Sequence, residues 1–220
     1  MQIVGFGGLA KAGKTTAACI LSTWAFERGY HVVADQFARP LKMAARMMGF
    51  IKGGEYDDLY RDFCQYAGTD LARKRGHVDW FANLMQKRLD VYALEEQQRM
   101  AVESGPITEF HETIVIVDDL RFQNEVDLLN LYKGRTVFIC AAQRLKDMDA
   151  KWRQHESEAL AYDYTYGRLP DKTFNFSVPN NKWSVSEDDH DGITFPLLIK
   201  AIHDLAPTLA SLDAAERLHE

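Results

Sequence analysis

Hydrophobic and polar positions along this chain switch repeatedly between two periods. Met1 to Phe6 (MQIVGF) is a short apolar run that ends in glycines. Lys14 to Arg28 is apolar on a helical period and stops at Gly29, a residue suited to closing a helix. His31 to Ala34 (HVVA) reads as a buried strand ending at Asp35, and Pro40 to Met48 as a helix with proline in its first turn. Asp57 to Tyr66 and Val78 to Met100 read as two further helices, the second long and strongly charged on one face. Thr113 to Val117 (TIVIV) is β-branched throughout, the pattern of a strand with both faces covered in the middle of a sheet. Asn124 to Tyr132 is helical, Thr136 to Ala141 (TVFICA) is another strand, and Lys146 to Tyr162 is polar and helical in part. Phe174 to Val178 reads as a short last strand, and Phe195 to Leu209 as an apolar-periodic helix before a polar tail.

Strands that alternate with helices imply right-handed crossovers, hence an α/β fold of three layers: a mostly parallel sheet with helices on both faces. In such sheets ligands lie outside the carboxyl ends of the strands, so the residues after each strand are where chemistry is expected. The 220 residues carry no internal repeat and no Gly/Ser linker, which makes one domain the expectation. A formal net charge of −6 weighs mildly against a main role in gripping a polynucleotide and towards a small anionic substrate. Three scattered cysteines (Cys19, Cys64, Cys140) make neither a zinc pattern nor a disulfide framework, as in a reducing cytoplasm. No apolar run approaches the ~20 residues of a membrane span, and no secretory leader is read at Met1.

Directly after the first run stands Gly8-Leu9-Ala10-Lys11-Ala12-Gly13-Lys14-Thr15, which fits G-x-x-x-x-G-K-[ST] between a strand and a helix. Gly8 and Gly13 permit backbone angles and close approach that a Cβ would block. The N–H groups of the loop, Lys11 and Ala12 included, form a concave anion nest, and the helix from Lys14 adds its positive end. Lys14 is placed to put an ammonium on the β- and γ-phosphates of ATP, Thr15 to ligate Mg²⁺ through its hydroxyl, and Thr16 to support the α-phosphate. A glycine-rich turn that merely capped a helix would have no need of Lys14.

Two other strand ends carry carboxylates. Asp118 and Asp119 follow TIVIV, as the metal-holding Asp of a nucleotide site does. Neighbouring strand residues point to opposite sides, so one of the two is expected to face the metal, and the sequence leaves open which. Asp35 ends the HVVA strand and is a candidate to orient the acceptor phosphate or the metal. Arginines that could neutralise phosphate charge are Arg39, Arg61, Arg73, Arg75, Arg121, Arg144 and Arg153, with Arg121 favoured by its strand-end position. Arg144 and Arg153 fall where a lid over the ATP phosphates is expected. Phe37, Tyr66, Trp80 and Phe81 are aromatic candidates for a base, and His155 reads as structural or substrate-positioning, because an acceptor phosphate is already ionised.

Taken together, GGLAKAGKTTAA (7–18), DQFARPLK (35–42), FCQYAGTDLARKRGHVDWF (63–81), VDDLRFQNEVDLL (117–129) and HESE (155–158) resemble the phage deoxynucleoside monophosphate kinase family, a branch of the P-loop nucleotide kinases. The resemblance runs in order over about two-thirds of the chain and is weakest over 159–220. It implies a P-loop kinase core, an acceptor-binding insertion near 36–85 and a lid near 142–158. It implies that Arg73, Asp79 and Trp80 help form the acceptor pocket, beside the substrate-binding candidates Asp35, Phe37 and Arg39, and that Asp119, Arg121 and Glu125 stand near the reaction centre. The doubled Asp at 118–119 departs from the family, which often has a small or hydroxyl residue before its Asp. The activity implied is Mg²⁺-assisted transfer from ATP to a deoxynucleoside monophosphate in the cytoplasm, that of the host if the chain is phage-encoded, with a homodimer as a further expectation. Two rival readings stand beside it: a kinase of a hydroxymethylated base such as 5-hydroxymethyluracil in phage DNA, and a nucleotide-dependent switch without transfer.

Overall fold

The computed structural model describes residues 1–102, 112–141, 156–170, 173–180, 184–185, 193–194 and 196–216. Five strands form one sheet: β1 (Gln2–Gly7), β2 (His31–Asp35), β3 (Thr113–Leu120), β4 (Arg135–Cys140) and β5 (Phe176–Pro179). Their order is β2-β3-β1-β4-β5, and every neighbouring pair is parallel. The expected mostly parallel α/β sheet is therefore present. Between the strands run α1 (Lys14–Phe26), α2 (Arg39–Met47), α3 (Asp57–Gln65), α4 (Trp80–Val102), α5 (Gln123–Leu131) and α6 (Ala159–Thr165), and α7 (Pro196–Glu216) follows the sheet. A two-stranded antiparallel ribbon, β6 (Ser184–Val185) with β7 (Ile193–Thr194), precedes α7.

The sheet is the centre of the core. All of β1 is buried, as are Thr113 to Val117 of β3 and Thr136 to Ile139 of β4. Fully buried Phe6, Phe138, Ile114, Ile116, Leu129 and Leu21 lie in one apolar cluster with the inner faces of the helices. Helices α1 and α7 pack on each other over the sheet, while α4 and α5 pair on its other side, as right-handed crossovers require. Gly5 is small for that packing: a Cβ there would stand 2.4 Å from Leu129 Cδ1 of α5.

HVVA was expected to be a buried strand, but β2 is the sheet's edge. His31 to Val33 are half-buried and Ala34 is exposed; only Asp35 is buried. Its apolar composition reports one covered face, not two.

A second departure lies between β2 and α4. Helix α3 does not stop at Tyr66 but widens into a π-helical stretch, Tyr66–Ala72, and then a tight turn, Arg73–Arg75. Such widened turns often mark functional sites, because they push side chains out of helical register. Here the stretch carries Gly68 and Thr69 to the wall of a cavity. Gly68 permits the approach, since a Cβ on it would sit 3.0 Å from Leu41 Cδ2 of α2.

Candidate active site

The chain leaves β1 at Gly8, whose φ of +140° would place a Cβ 2.6 Å from the Ile139 carbonyl oxygen. Lys11 (φ +61°) and Gly13 (φ +104°) also take left-handed angles, and Gly13 opens α1. This is a strand–loop–helix with the backbone reversals of an anion nest. Lys14 folds back over it, its Nζ donating to the carbonyls of Gly8 (2.6 Å) and Leu9 (2.9 Å).

Desolvation lowers the Lys14 pKa to about 8, and the nearby Arg121 charge pushes the same way; Glu158, Asp118 and Asp119 oppose the fall. The sign follows directly. Lys14 is an ammonium below about pH 8 and loses that charge above it, and a polyphosphate would bind the charged form. Affinity for tripolyphosphate is expected to be level below pH 7 and to fall above pH 8, by up to about tenfold per pH unit. Calorimetric titration in buffers of different ionisation enthalpy checks this, because binding at pH 8 must also take up protons.

The two aspartates of β3 behave unlike neighbours on a regular strand. Gly5 pairs with Val117, and Gly7 pairs with Leu120, so two residues of β1 span three of β3. The extra residue is a bulge at Asp118–Asp119, and a bulge breaks the alternation of side chains. Both aspartates consequently line the same cavity, where strict alternation would have sent one away. Their partners differ. Asp118 Oδ2 accepts the Thr15 hydroxyl at 2.6 Å, and its Oδ1 accepts Gln36 Nε2 at 2.6 Å. Asp119 is buried and holds the entry to the 36–85 segment: it accepts the N–H groups of Phe37 (2.7 Å) and Ala38 (3.2 Å) and pairs with Lys42 at 3.0 Å.

The cavity has a volume of about 500 Å³ and opens between the loop, the two aspartates and the 36–85 segment. Its apolar wall includes Phe37, Leu41, Tyr60 and Phe81; Gln36, Gln65 and Thr69 add polar groups. Three of its cations each face a carboxylate: Lys42 on Asp119, Arg73 on Glu125 (2.9 Å) and Arg121 on Glu158 (2.6 Å). Arg73 is further fixed by donating to Val78 O at 2.9 Å and by stacking 3.4 Å from the Phe122 ring centre. Glu125 accepts the N–H groups of Arg121 (2.8 Å) and Phe122 (3.2 Å), which caps α5. Burial raises its pKa to about 7, with the Asp119 charge adding to the rise and the Arg121 N–H and Arg73 opposing it.

Of the residues singled out from the sequence, the cavity brings together Lys11 to Thr16, Phe37, Arg61, Arg73, Phe81, Asp118, Asp119, Arg121 and Glu125. Asp35, Arg39, Tyr66, Arg75, Asp79 and Trp80 are not among its lining residues. Asp35 is buried and spent on Arg88 Nε (2.7 Å) and Tyr92 OH (2.8 Å) of α4, so it anchors β2 to that helix instead of facing a phosphate. Arg39 reaches the same Tyr92 hydroxyl at 3.3 Å. Asp79 accepts Asn124 Nδ2 at 2.8 Å on the outer surface, and Trp80 is half exposed beside it. Most of the expected lid, with Arg144, Arg153 and His155, lies outside the described residues.

Beyond the cavity wall residues Leu41, Tyr60, Gln65 and Thr69, four polar residues that hold the loop or its aspartates escaped the sequence reading. Gln36 braces Asp118, and Lys42 pairs with Asp119. Glu158 accepts Ala10 N–H of the loop at 2.7 Å as well as Arg121. Asn180 donates to Ala12 O of the loop at 2.7 Å. Position after a strand was a usable signal for Asn180, which directly follows β5; Glu158 stands in HESE, a stretch already marked by the family resemblance.

No family model matches the sequence, and no curated protein matches it. Solved structures similar to the chain include one described as the crystal structure of APE1195, with 12% identity and a TM-score of 0.39 over 95% of this chain and 96% of that one. Another is a shikimate kinase from Acinetobacter baumannii in complex with shikimate, also with 12% identity and a TM-score of 0.39, over 99% and 96%. Likeness at this level bears on neither substrate nor mechanism. Among the described residues no helix is long and apolar enough to cross a membrane.

Proposed function

We propose that this chain is an ATP-dependent phosphotransferase whose acceptor is a deoxynucleoside monophosphate. The observation that carries the reading is the 2.6 Å pairing of the Thr15 hydroxyl with Asp118 at the mouth of the loop, directly beside a cavity of nucleotide size. Hydroxyl and carboxylate oxygens are the donors Mg²⁺ prefers, and it commonly takes one or two from protein and the rest from phosphates and water. No group of three His, Cys, Asp or Glu able to hold a metal occurs among the described residues, which fits that sparse donor set. Thr15 and Asp118 would hold the ion, with Gln36 fixing the second Asp118 oxygen. The loop N–H groups and Lys14 would hold the β- and γ-phosphates. Bound there, Mg²⁺ neutralises charge on the transferring phosphate.

The chain's own residues then set the geometry of transfer. Lys42, Arg73 and Arg121 line the cavity between the loop and the 36–85 segment, where an acceptor phosphate would lie in line with the γ-phosphate. Each already has a carboxylate partner, so a bound phosphate would share or exchange these pairs instead of meeting bare cations. Phe37, Leu41, Tyr60 and Phe81 offer flat and apolar surface to a base, with Gln65 and Thr69 as hydrogen-bonding groups. The 36–85 segment is thus read as the acceptor-binding insertion within a single kinase domain.

A coupled ADP-release assay over deoxynucleoside and nucleoside monophosphates, with 5-hydroxymethyluracil-containing DNA as a further arm, tests the reading. Acceptor-dependent turnover with at least one deoxynucleoside monophosphate is expected, together with its loss in Asp118→Asn. Transfer to the DNA alone, or to nothing, would replace it.

A further inference from the structure

Asn180 follows β5 at the edge of the sheet, far in sequence from the nucleotide loop, yet it is 1% exposed and built into that loop. Its main-chain N–H donates to Cys140 O at the end of β4 (2.6 Å), which fixes the residue to the sheet. Its side-chain Nδ2 donates to Ala12 O at 2.7 Å. Gly13, the next residue of the loop, has a bare Cα turned to the same amide: a Cβ there would lie 2.6 Å from Asn180 Nδ2 and 3.3 Å from Leu198 Cδ2 of α7.

From this arrangement we propose that Asn180 is a positioning residue for the phosphate cradle, selecting the orientation of the Ala12–Gly13 peptide. In a planar trans peptide the C=O and N–H point opposite ways. A donor that holds Ala12 O on the β5 side therefore aims Gly13 N–H to the other side, where the loop turns its amides to an anion. Glycine permits this but cannot select it, because Gly at φ +104° has other conformations open to it at little cost. The hydrogen bond from Asn180 supplies the choice. The ligand class is a polyphosphate, and the action is on its phosphates, not on its base.

The inference rests on the reading of the loop as a polyphosphate site, and the test separates the two. Dissociation constants for Mg-ATP and for Mg-tripolyphosphate are measured on the full chain and on Asn180→Ala and Asn180→Leu, at a temperature where all three are folded. Asn180→Leu is close in volume and uncharged, so it fills the site if the alanine variant fails to fold, adds no charge beside the loop, and cannot donate to Ala12 O. Both ligands are expected to bind the variants about tenfold more weakly, the worth of one buried hydrogen bond. Weaker ATP binding with unchanged tripolyphosphate binding would mean that Asn180 serves the nucleoside, and would overturn the proposal. Unchanged affinity for both would leave Asn180 a purely structural residue and overturn it equally. If the unsubstituted chain bound neither ligand, the polyphosphate reading itself would fall, and the role of Asn180 with it.

Discussion

Lys14→Ala is expected to lower acceptor-dependent turnover by about 10³-fold, the scale of removing a preorganised donor from a transferring group. The ammonium is set between the loop and the carboxylates of Asp118, Asp119 and Glu158, where desolvation already brings its pKa down to about 8. Charge in such a place acts through little screening, so it counts for more in a transition state than on the surface. The effect is expected in kcat and in polyphosphate affinity together, because the same charge would bind the phosphates and stabilise their transfer, with the loop N–H groups left to hold the ligand when Lys14 is gone. Stability should change little: the substitution removes two hydrogen bonds to Gly8 and Leu9 but also a desolvated charge. The measurement is a steady-state assay beside a thermal melt. Turnover within tenfold of the unsubstituted chain, with the fold unchanged, would remove the catalytic reading of the loop.

The second large effect is on stability. Arg73 and Glu125 form an ion pair whose side chains are 5% and 4% exposed, so neither charge can turn to water if the other is removed. Arg73→Ala is expected to cost about 3–5 kcal/mol, the usual penalty for orphaning a buried charge. It also empties the stack on Phe122 and leaves Val78 O without that donor. The loss should depend on pH, in a direction that can be worked out. Glu125 has a folded pKa of about 7, above its unfolded value of 4.5. Its contribution is complete below the unfolded value and is lost as pH rises through the folded one. Without Arg73 that folded value moves higher, since Arg73 is among the groups that hold it down. Arg73→Ala should therefore be milder at pH 6 than at pH 8 in chemical denaturation. Combining Arg73→Met with Glu125→Gln removes both charges and keeps a carbonyl for the Arg121 and Phe122 N–H groups. That pair should recover all but about 1–2 kcal/mol, and a loss as large as that of the single variant would show that the ion pair is not the cause.

The layers and the loop were legible in the chain because both are local statements. A β-branched run such as TIVIV has few alternatives to a covered strand, and it is β3. G-x-x-x-x-G-K-T between a strand and a helix specifies its own backbone, and Gly8, Lys11 and Gly13 take the left-handed angles it calls for. Arg73, Asp118, Asp119, Arg121 and Glu125 could be named as site residues because they sit in stretches that carry a family resemblance or end a strand. Asp35, Arg39, Asp79 and Trp80 were named on the same grounds and lie elsewhere. A strand end says that a residue is near the carboxyl edge of the sheet, but not which way its side chain turns or what already holds it. For Asp35 the deciding groups are Arg88 and Tyr92, more than fifty residues on.

What the sequence determined by itself is the alternating α/β order and the phosphate-type loop, since hydrophobic period and glycine stereochemistry act over a few residues at a time. What only the tertiary structure decided is how distant groups meet around that loop. The bulge that brings Asp118 and Asp119 to one cavity exists only in the register of β3 against β1. The division of labour between them, Asp118 on Thr15 and Asp119 on the 36–85 segment, follows from that register. Glu158 and Asn180 reach the loop across 148 and 168 residues of chain. Side-chain partners over such separations are set by packing and strand order, and neither is written in any local pattern of residues.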